Sequence, residues 1–66
     1  MTQKAVIAAV RAMGLSCGRT DHGDYRINLL KREGGNEDTA YYTDDAEDAV
    51  ATAQAMAMHR GTWRMG

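Results

Sequence analysis

The sequence predicts an α+β fold in the order helix, three antiparallel strands, helix, with both helices packed on one face of the sheet. Two observations support this prediction. Apolar side chains recur at helical spacing near both ends of the chain, and they alternate with polar side chains in the run from Tyr25 to Leu30 between them. Each helical pattern has one apolar stripe, so both helices need the same sheet face as cover. A chain of 66 residues makes one domain at most, and we expect a single domain over residues 1–66.

The first helix is predicted from Ala5 to Met13. Thr2 precedes it as a good N-cap, and Gly14 follows it at the place where a left-handed residue commonly ends a helix. Its apolar face has the i, i+3, i+4, i+7 spacing and consists of Val6, Ala9, Val10 and Met13.

The segment between the helices predicts three strands joined by polar connections. The strands cover residues 15–20, 25–30 and 39–43, and the connection at 31–38 contains two glycines and no apolar residue. The middle strand has the clearest alternation. Its apolar face holds Tyr25, Ile27 and Leu29, and its polar face holds Arg26 and Asn28.

The acidic run after the third strand predicts the start of the second helix. Asp44 is followed three residues later by Glu47, which is the spacing of a capping box. Asp45 and Asp48 fall in or near the first turn, where the helix dipole favours carboxylates. The helix is then expected to continue to about residues 59–60. Its apolar face is rich in alanine and consists of Ala46, Ala49, Val50, Ala53, Met56 and Ala57.

Composition argues against several classes of protein. The single cysteine, Cys17, cannot form an internal disulfide, and no residues with metal-ligand spacing surround it. We therefore expect a cytoplasmic protein without a metal or a cofactor. The N-terminal segment is interrupted by Lys4 and Arg11 and is too short for a signal peptide or a membrane span. The sequence shows no motif for a small-molecule substrate.

The net charge of −1 conceals an uneven distribution. Residues 1–36 have an excess of lysine and arginine over acids, whereas residues 37–48 contain no base. The acids of this second segment are Glu37, Asp38, Asp44, Asp45, Glu47 and Asp48. They are either solvated charges on loops and helix ends or an acidic face that meets a basic partner.

The predicted order of elements resembles that of the double-stranded-RNA-binding domain over most of the chain. That family grips phosphates with a lysine-rich patch at the start of its second helix. This chain has Asp44, Asp45, Glu47 and Asp48 there, and carboxylates at these positions repel RNA phosphates. The resemblance therefore implies the topology but not the binding of duplex RNA.

The segment GRTDHGDY, Gly18 to Tyr25, resembles the HicA-type toxins, small ribonucleases with the same topology. In that family a histidine after the first helix is followed three residues later by an aromatic residue, as His22 and Tyr25 are here. The family's Gly-Ser before the histidine is Thr20-Asp21 in this chain, and its Pro- and His-containing third strand is absent. The resemblance implies that His22 acts as a general acid or base, which needs a phosphate-binding partner such as Arg19 or Arg26. The alternative function is therefore a ribonuclease or RNA-binding protein whose RNA site uses Arg19, His22, Arg26, Lys31 and Arg32.

A third resemblance concerns GGNEDTAYYTDDAEDAVATAQAMA, residues 34–57, which is similar to a segment of small bacterial proteins associated with mobile elements. It implies a bacterial accessory protein, and it implies no activity, cofactor or catalytic residue.

The sequence as a whole favours a small non-enzymatic interaction module, either a homodimer or a subunit docked on another protein. The contact is expected at the open sheet face or at a sheet edge. Tyr41 and Tyr42 point to opposite faces of the third strand, and the pattern leaves open which of them meets the core. The candidate contact residues are Arg26, Asn28, Tyr41, Asp44, Asp45 and Asp48. The alternatives are the RNA site above and an acidic surface that imitates nucleic acid to block a nucleic-acid-binding protein.

Overall fold

The computed structural model describes residues 2–63 and has the predicted order of elements. Helix α1 covers Gln3–Ala12 and helix α2 covers Ala46–Met58. Between them β1 (Ser16–Arg19), β2 (Tyr25–Asn28) and β3 (Tyr41–Thr43) form one antiparallel sheet in the order β1-β2-β3. The predicted α+β class is confirmed, and β1 and β3 are the edge strands. Residues 64–66 of the C-terminal tail lie outside the described residues.

The strand register decides which side chains share a face. Cys17 of β1 lies opposite Ile27 of β2, and Arg26 of β2 lies opposite Tyr42 of β3. Because side chains alternate along a strand, Tyr41 is on the same face as Ile27, whereas Tyr42 is on the opposite face beside Arg26. This answers the question that the sequence leaves open about the two tyrosines.

One hydrophobic cluster joins both helices to the Ile27 face of the sheet. Its buried members come from α1, the strands and α2, and they are Val6, Val10, Leu15, Cys17, Tyr25, Ile27, Leu29, Ala49, Ala53 and Met56. The predicted apolar face of β2 and the placement of both helices on one face are thus confirmed. Ala49 and Ala53 are fully buried, so α2 meets the sheet through side chains of minimal size. Neither helix in residues 2–63 is long and apolar enough to cross a membrane.

The long connection from β2 to β3 folds back on a buried amide. It contains two short 3₁₀ helices, Lys31–Glu33 and Glu37–Thr39. The Asn28 Nδ2 donates to the Asn36 carbonyl at 2.9 Å, and its Oδ1 accepts from the Leu29 N–H at 2.8 Å. Asn28 is only 4% exposed. Its prediction as a contact residue on the open face is therefore wrong, because the connection covers that end of the strand.

The cap predicted for α1 is confirmed. Thr2 Oγ1 accepts from the Ala5 N–H at 3.1 Å, which satisfies one of the unpaired donors at the helix start. Gly14 follows the last turn with a φ of +80°, the left-handed conformation that suits glycine best.

The cap predicted for α2 is wrong by one residue. The N-cap is Asp45, whose Oδ1 accepts from the backbone N–H groups of Glu47 at 2.8 Å and Asp48 at 3.2 Å. Asp44 lies in the bend before it and makes no side-chain hydrogen bond among residues 2–63. Thr43 causes the shift, since its hydroxyl accepts from the Asp45 N–H at 3.2 Å and extends the turn by one residue.

The residues after α2 close the fold from the C-terminal side. Arg60 Nη1 donates to the Gly14 carbonyl at 3.2 Å and pairs with Glu33 Oε1 at 2.7 Å, and Arg60 Nη2 donates to the Met13 carbonyl. The indole N–H of Trp63 donates to the Thr39 carbonyl at 3.1 Å, and its ring packs against the core. One arginine therefore ties the end of α2 to the end of α1 and to the β2–β3 connection.

We predict that Asp45→Ala lowers the free energy of unfolding by about 1 kcal/mol, because it leaves two backbone N–H groups of α2 without a partner. Asp44→Ala is the matched control, and it should change stability by less than about 0.5 kcal/mol. Urea unfolding followed by circular dichroism measures both. Equal losses in the two variants would contradict the assignment of Asp45 as the cap.

We also predict that Gly35→Ala is strongly destabilising. A Cβ atom at Gly35 would lie 2.0 Å from the Leu29 carbonyl oxygen, so the backbone must move. A loss of about 1–3 kcal/mol is expected for such overpacking. Gly18→Ala is the control, because nothing lies within 4 Å of the added carbon there. The same unfolding experiment distinguishes them, and a Gly35→Ala protein as stable as Gly18→Ala would contradict the close approach.

Candidate functional site

The uncovered face of the sheet carries a three-residue polar cluster, which we call the open-face cluster: Arg26, Glu37 and Tyr42. Arg26 Nε donates to Tyr42 Oη at 3.1 Å, and Arg26 Nη2 pairs with Glu37 Oε1 at 2.8 Å. The Tyr42 hydroxyl donates to the other carboxylate oxygen of Glu37. The Arg26 guanidinium also lies over the Tyr42 ring, 5.9 Å from its centroid. Each member thus holds the other two in one arrangement.

The hydrogen bonds of this cluster shift its protonation equilibria. Donation from Tyr42 and then from Arg26 lowers the pKa of the Glu37 carboxyl below its ordinary value. The same contacts, with that to Glu37 the largest, raise the pKa of Arg26. Both shifts favour the charged forms, the carboxylate of Glu37 and the guanidinium of Arg26.

A second acidic contact lies on the helix side of β3. The Tyr41 hydroxyl donates to Asp48 Oδ2 in the first turn of α2 at 2.7 Å. This bond raises the pKa of Tyr41 and lowers that of Asp48. Tyr41 also packs against the hydrophobic core. The Tyr41 side chain therefore joins β3 to α2 and does not lie on the open face, and its predicted contact at the strand edge stays a prediction.

The edge strand β3 lies among carboxylates, and we call the strand and its unpaired acids the β3 edge: Tyr41–Thr43 with Asp38, Asp44 and Glu47. Asp38 precedes the strand, Asp44 follows it, and Glu47 is in the first turn of α2. All three acids are exposed. The ion pairs found within residues 2–63 are Arg26–Glu37 and Arg60–Glu33, so no protein cation neutralises these three acids there.

The predicted contact residues thus fall into three groups. Arg26 lies on the open face, and Asp44 lies at the β3 edge. Asp45 and Asp48 serve the start of α2, the first as its cap and the second as the acceptor for Tyr41. Asn28 is buried under the β2–β3 connection and the Tyr41 side chain faces α2, so neither side chain is exposed on the open face.

The residues of the predicted RNA site do not converge. Arg19 lies over the Tyr25 ring at 5.0 Å, and its Nη2 donates to the Gly23 carbonyl at 2.7 Å, at the turn that also carries the exposed His22. Lys31 and Arg32 are exposed on the 3₁₀ helix beyond the other end of β2. Arg26 belongs to the open-face cluster between them. The five residues thus lie in three separate places, which are the β1–β2 turn, the open face and the first 3₁₀ helix.

Two of the concavities on the described surface are the most marked, and neither has the features of a catalytic site. One, of about 750 Å³, is lined by α2 and its N-cap Asp45 and is a depression along the side of the helix. The other, of about 390 Å³, lies beside the open-face cluster between the start of β1 and the β2–β3 connection. Within residues 2–63, no three His, Cys, Asp or Glu side chains come together as metal ligands do. Burial raises the pKa of the Cys17 thiol, with Arg11 opposing the rise, so the thiol is a poor nucleophile.

The sequence analysis missed Glu37 and Tyr42 as members of the open-face cluster. The available signal was the strand register, since any pairing that aligns Ile27 with Tyr41 also puts Tyr42 beside Arg26. Glu37 gave no signal, because its position depends on the path of the β2–β3 connection.

Comparison with known proteins gives no relative for this chain. No protein-family model matches it, and searches of the curated proteins and of the solved structures find no match. The resemblances to the double-stranded-RNA-binding domain, to HicA-type toxins and to mobile-element proteins therefore stay predictions.

We predict that Tyr42→Phe raises the pKa of Glu37 toward its ordinary value, because it removes the hydrogen bond that lowers this pKa most. Tyr41→Phe is the matched control, and it should raise the pKa of Asp48 while leaving Glu37 unchanged. Carboxyl NMR titration from neutral pH to about pH 2 measures both. An unchanged Glu37 titration in Tyr42→Phe would contradict the cluster.

The same shift gives a pH dependence of stability. Since the pKa of Glu37 is lower in the folded protein, the cluster stabilises the fold above the unfolded-state pKa, and this contribution is lost as the pH falls through the folded value. Glu37→Gln should therefore flatten part of the acid limb of the stability curve below about pH 4.5. The effect should be small, because the Glu37 side chain is 71% exposed.

Proposed function

We propose that this protein is a small non-enzymatic interaction module that binds another polypeptide at the β3 edge. The observation that carries the proposal is that β3 ends the sheet order, so one side of this strand pairs with no other strand of residues 2–63. Such an edge offers unpaired backbone N–H and C=O groups to an added strand. A cytoplasmic location belongs to the same proposal, since the only cysteine, Cys17, is a free buried thiol.

The side chains next to this edge support the proposal. Tyr42 is one of two large hydrophobic residues that are exposed among residues 2–63, and it is the one on the sheet. Its ring is held by Arg26 and Glu37, so little side-chain freedom remains to be lost when a partner arrives. Tyrosine and arginine are also the residue types that are enriched where binding energy concentrates.

The other edge strand, β1, is a weaker candidate for strand addition. At β1 the Cys17 carbonyl already accepts from Arg11 Nε at 3.2 Å. The side chain of α1 thus occupies a position that an added strand would need. This contrast favours β3 over β1 as the site of strand addition.

The other two candidate functions have less support. A ribonuclease needs its histidine near a group that binds phosphate, and His22 has only Arg19 at its own turn, already bonded to the Gly23 carbonyl. An acidic surface that imitates nucleic acid would use the same carboxylates as the β3 edge without strand pairing. The backbone amides of β3 therefore distinguish it from our proposal.

The test uses three short extended peptides that share a threonine and valine centre and differ only in their flanks, which are lysine, glutamine or glutamate. Each is titrated into the ¹⁵N-labelled protein, and amide shifts and hydrogen exchange are followed by NMR. We expect at least one peptide to shift the amides of Tyr41–Thr43 and to protect that of Tyr42, because the backbone groups of Tyr41 and Thr43 face β2 and those of Tyr42 face the free edge. The dissociation constant should be on the order of 0.1–1 mM, because three residues offer few main-chain hydrogen bonds.

Two variants make this test specific to the edge. Tyr42→Ala should weaken binding about tenfold through loss of the exposed ring, and Tyr42→Phe should weaken it less, because it keeps the ring and loses only the hydrogen bonds that hold it. Met58→Ala is the matched control, since Met58 is the other exposed large hydrophobic residue and lies at the end of α2. If no peptide shifts the β3 amides, or if Met58→Ala weakens binding as much as Tyr42→Ala does, the proposed function is wrong.

A further inference from the structure

The sign of the charge around β3 specifies what kind of polypeptide can pair with it. Three of the six acids in residues 37–48 already have partners in the fold. Glu37 accepts from Arg26 and Tyr42, Asp45 caps α2, and Asp48 accepts from Tyr41. The remaining three, Asp38, Asp44 and Glu47, carry the charge that a partner meets.

These three acids lie at both ends of a very short strand. Asp38 lies three residues before Tyr41, and Asp44 directly follows Thr43. An added strand that is longer than the three paired residues must therefore pass a carboxylate at each end. Residues 37–48 contain no base, so every charge that this segment contributes to the edge is negative.

A second copy of the chain is a poor occupant of this edge. Two copies that pair symmetrically at β3 run antiparallel and place Tyr42 opposite Tyr42, since a two-fold contact uses the same patch twice. Asp44 of each copy then lies opposite Ala40 of the other copy. Asp38 of that other copy is two residues from this Ala40, so the two acids come near each other. Like charges brought together in this way destabilise the pairing. The acids therefore act against self-association at β3, as charges on edge strands commonly do.

We infer that the β3 edge takes an extended segment with lysine or arginine on both sides of a short uncharged centre, from a different polypeptide and in preference to a second copy. This inference rests on the proposed function and adds the charge of the partner. Basic side chains at both ends of the added strand would meet Asp38 at one end and Asp44 with Glu47 at the other. An uncharged centre matches the paired residues, since Tyr41–Thr43 contains no charge.

The peptide series tests the inference through the order of affinities. At about 50 mM salt the lysine-flanked peptide should bind about tenfold more tightly than the glutamine-flanked one, and the glutamate-flanked one should bind least. The advantage of lysine should shrink several-fold at about 1 M salt, where exposed charges are screened within a few ångströms. The glutamine-flanked peptide should show little dependence on salt.

Single substitutions locate the effect on the protein. Asp38→Asn and Asp44→Asn should each weaken the lysine-flanked peptide several-fold at low salt and leave the glutamine-flanked peptide unchanged. Asp21→Asn is the matched control, because it removes the same charge from the exposed turn between β1 and β2. A loss for Asp21→Asn equal to that for Asp44→Asn would mean that only the net charge matters, and the inference would be overturned.

The possible outcomes separate this inference from the proposed function. If all three peptides protect the β3 amides equally, the proposed function stands and the basic partner is wrong. If no peptide protects them, the proposed function itself fails. If the lysine-flanked peptide shifts acidic residues without protecting the Tyr42 amide, the attraction is to charge alone and both fail. Light scattering over a concentration series adds one more outcome, since a dimer with protected β3 amides would assign the edge to a second copy.

Discussion

The side-chain amide of Asn28 determines the path of the chain from the central strand to the edge strand. Its oxygen accepts from the Leu29 N–H at 2.8 Å and from the Thr39 hydroxyl at 2.7 Å, and its nitrogen donates to the Asn36 carbonyl. Asn36 and Thr39 also cap the second 3₁₀ helix reciprocally. This buried network leaves no polar atom unsatisfied among the described buried side chains, and such complete networks specify one arrangement of the backbone. The register of β3, and with it the position of Tyr42 and Glu37, depends on this arrangement.

The hydrophobic core imposes a complementary constraint from the other face. Ile27 is fully buried at the centre of the sheet, under α1 and α2 together. The alanines of α2 add little apolar area of their own, so the close approach of the helix is what excludes water from Ile27 and Tyr25. Arg60 stabilises this close packing from outside the core, through the C-terminal end of α1 and the Glu33 carboxylate. A small domain with such a core gains much of its order from polar contacts at its margins.

Periodicity in the sequence predicted the helices, the strands and the buried faces, because each of these follows from local spacing. The same reasoning placed Asn28 on the open face with Arg26. The two side chains do point to the same side of β2, but the connection to β3 buries Asn28. The covering segment at residues 29–40 has no apolar pattern, and its fold depends on hydrogen bonds between residues far apart in sequence. The shift of the α2 cap from Asp44 to Asp45 has a similar cause, since consecutive aspartates are equivalent as caps until the Thr43 hydroxyl selects one. Side-chain hydrogen bonds of this kind leave no trace in hydropathy or charge patterns.

The acids of residues 37–48 show how one charge pattern can serve folding and recognition together. A helix start needs about two carboxylates for its cap and dipole, and Asp45 and Asp48 meet that need. Glu37 balances Arg26 on the open face. Glu47 shares the first turn of α2, whereas Asp38 and Asp44 have no such role among the described contacts, and all three add mutual repulsion to a small domain that has little stability to spare. An edge strand must avoid pairing with the same strand of a second copy, and charged side chains of either sign oppose that pairing. What the negative sign adds is a preference among other chains, because the charges that exclude a second copy also attract a segment rich in lysine or arginine.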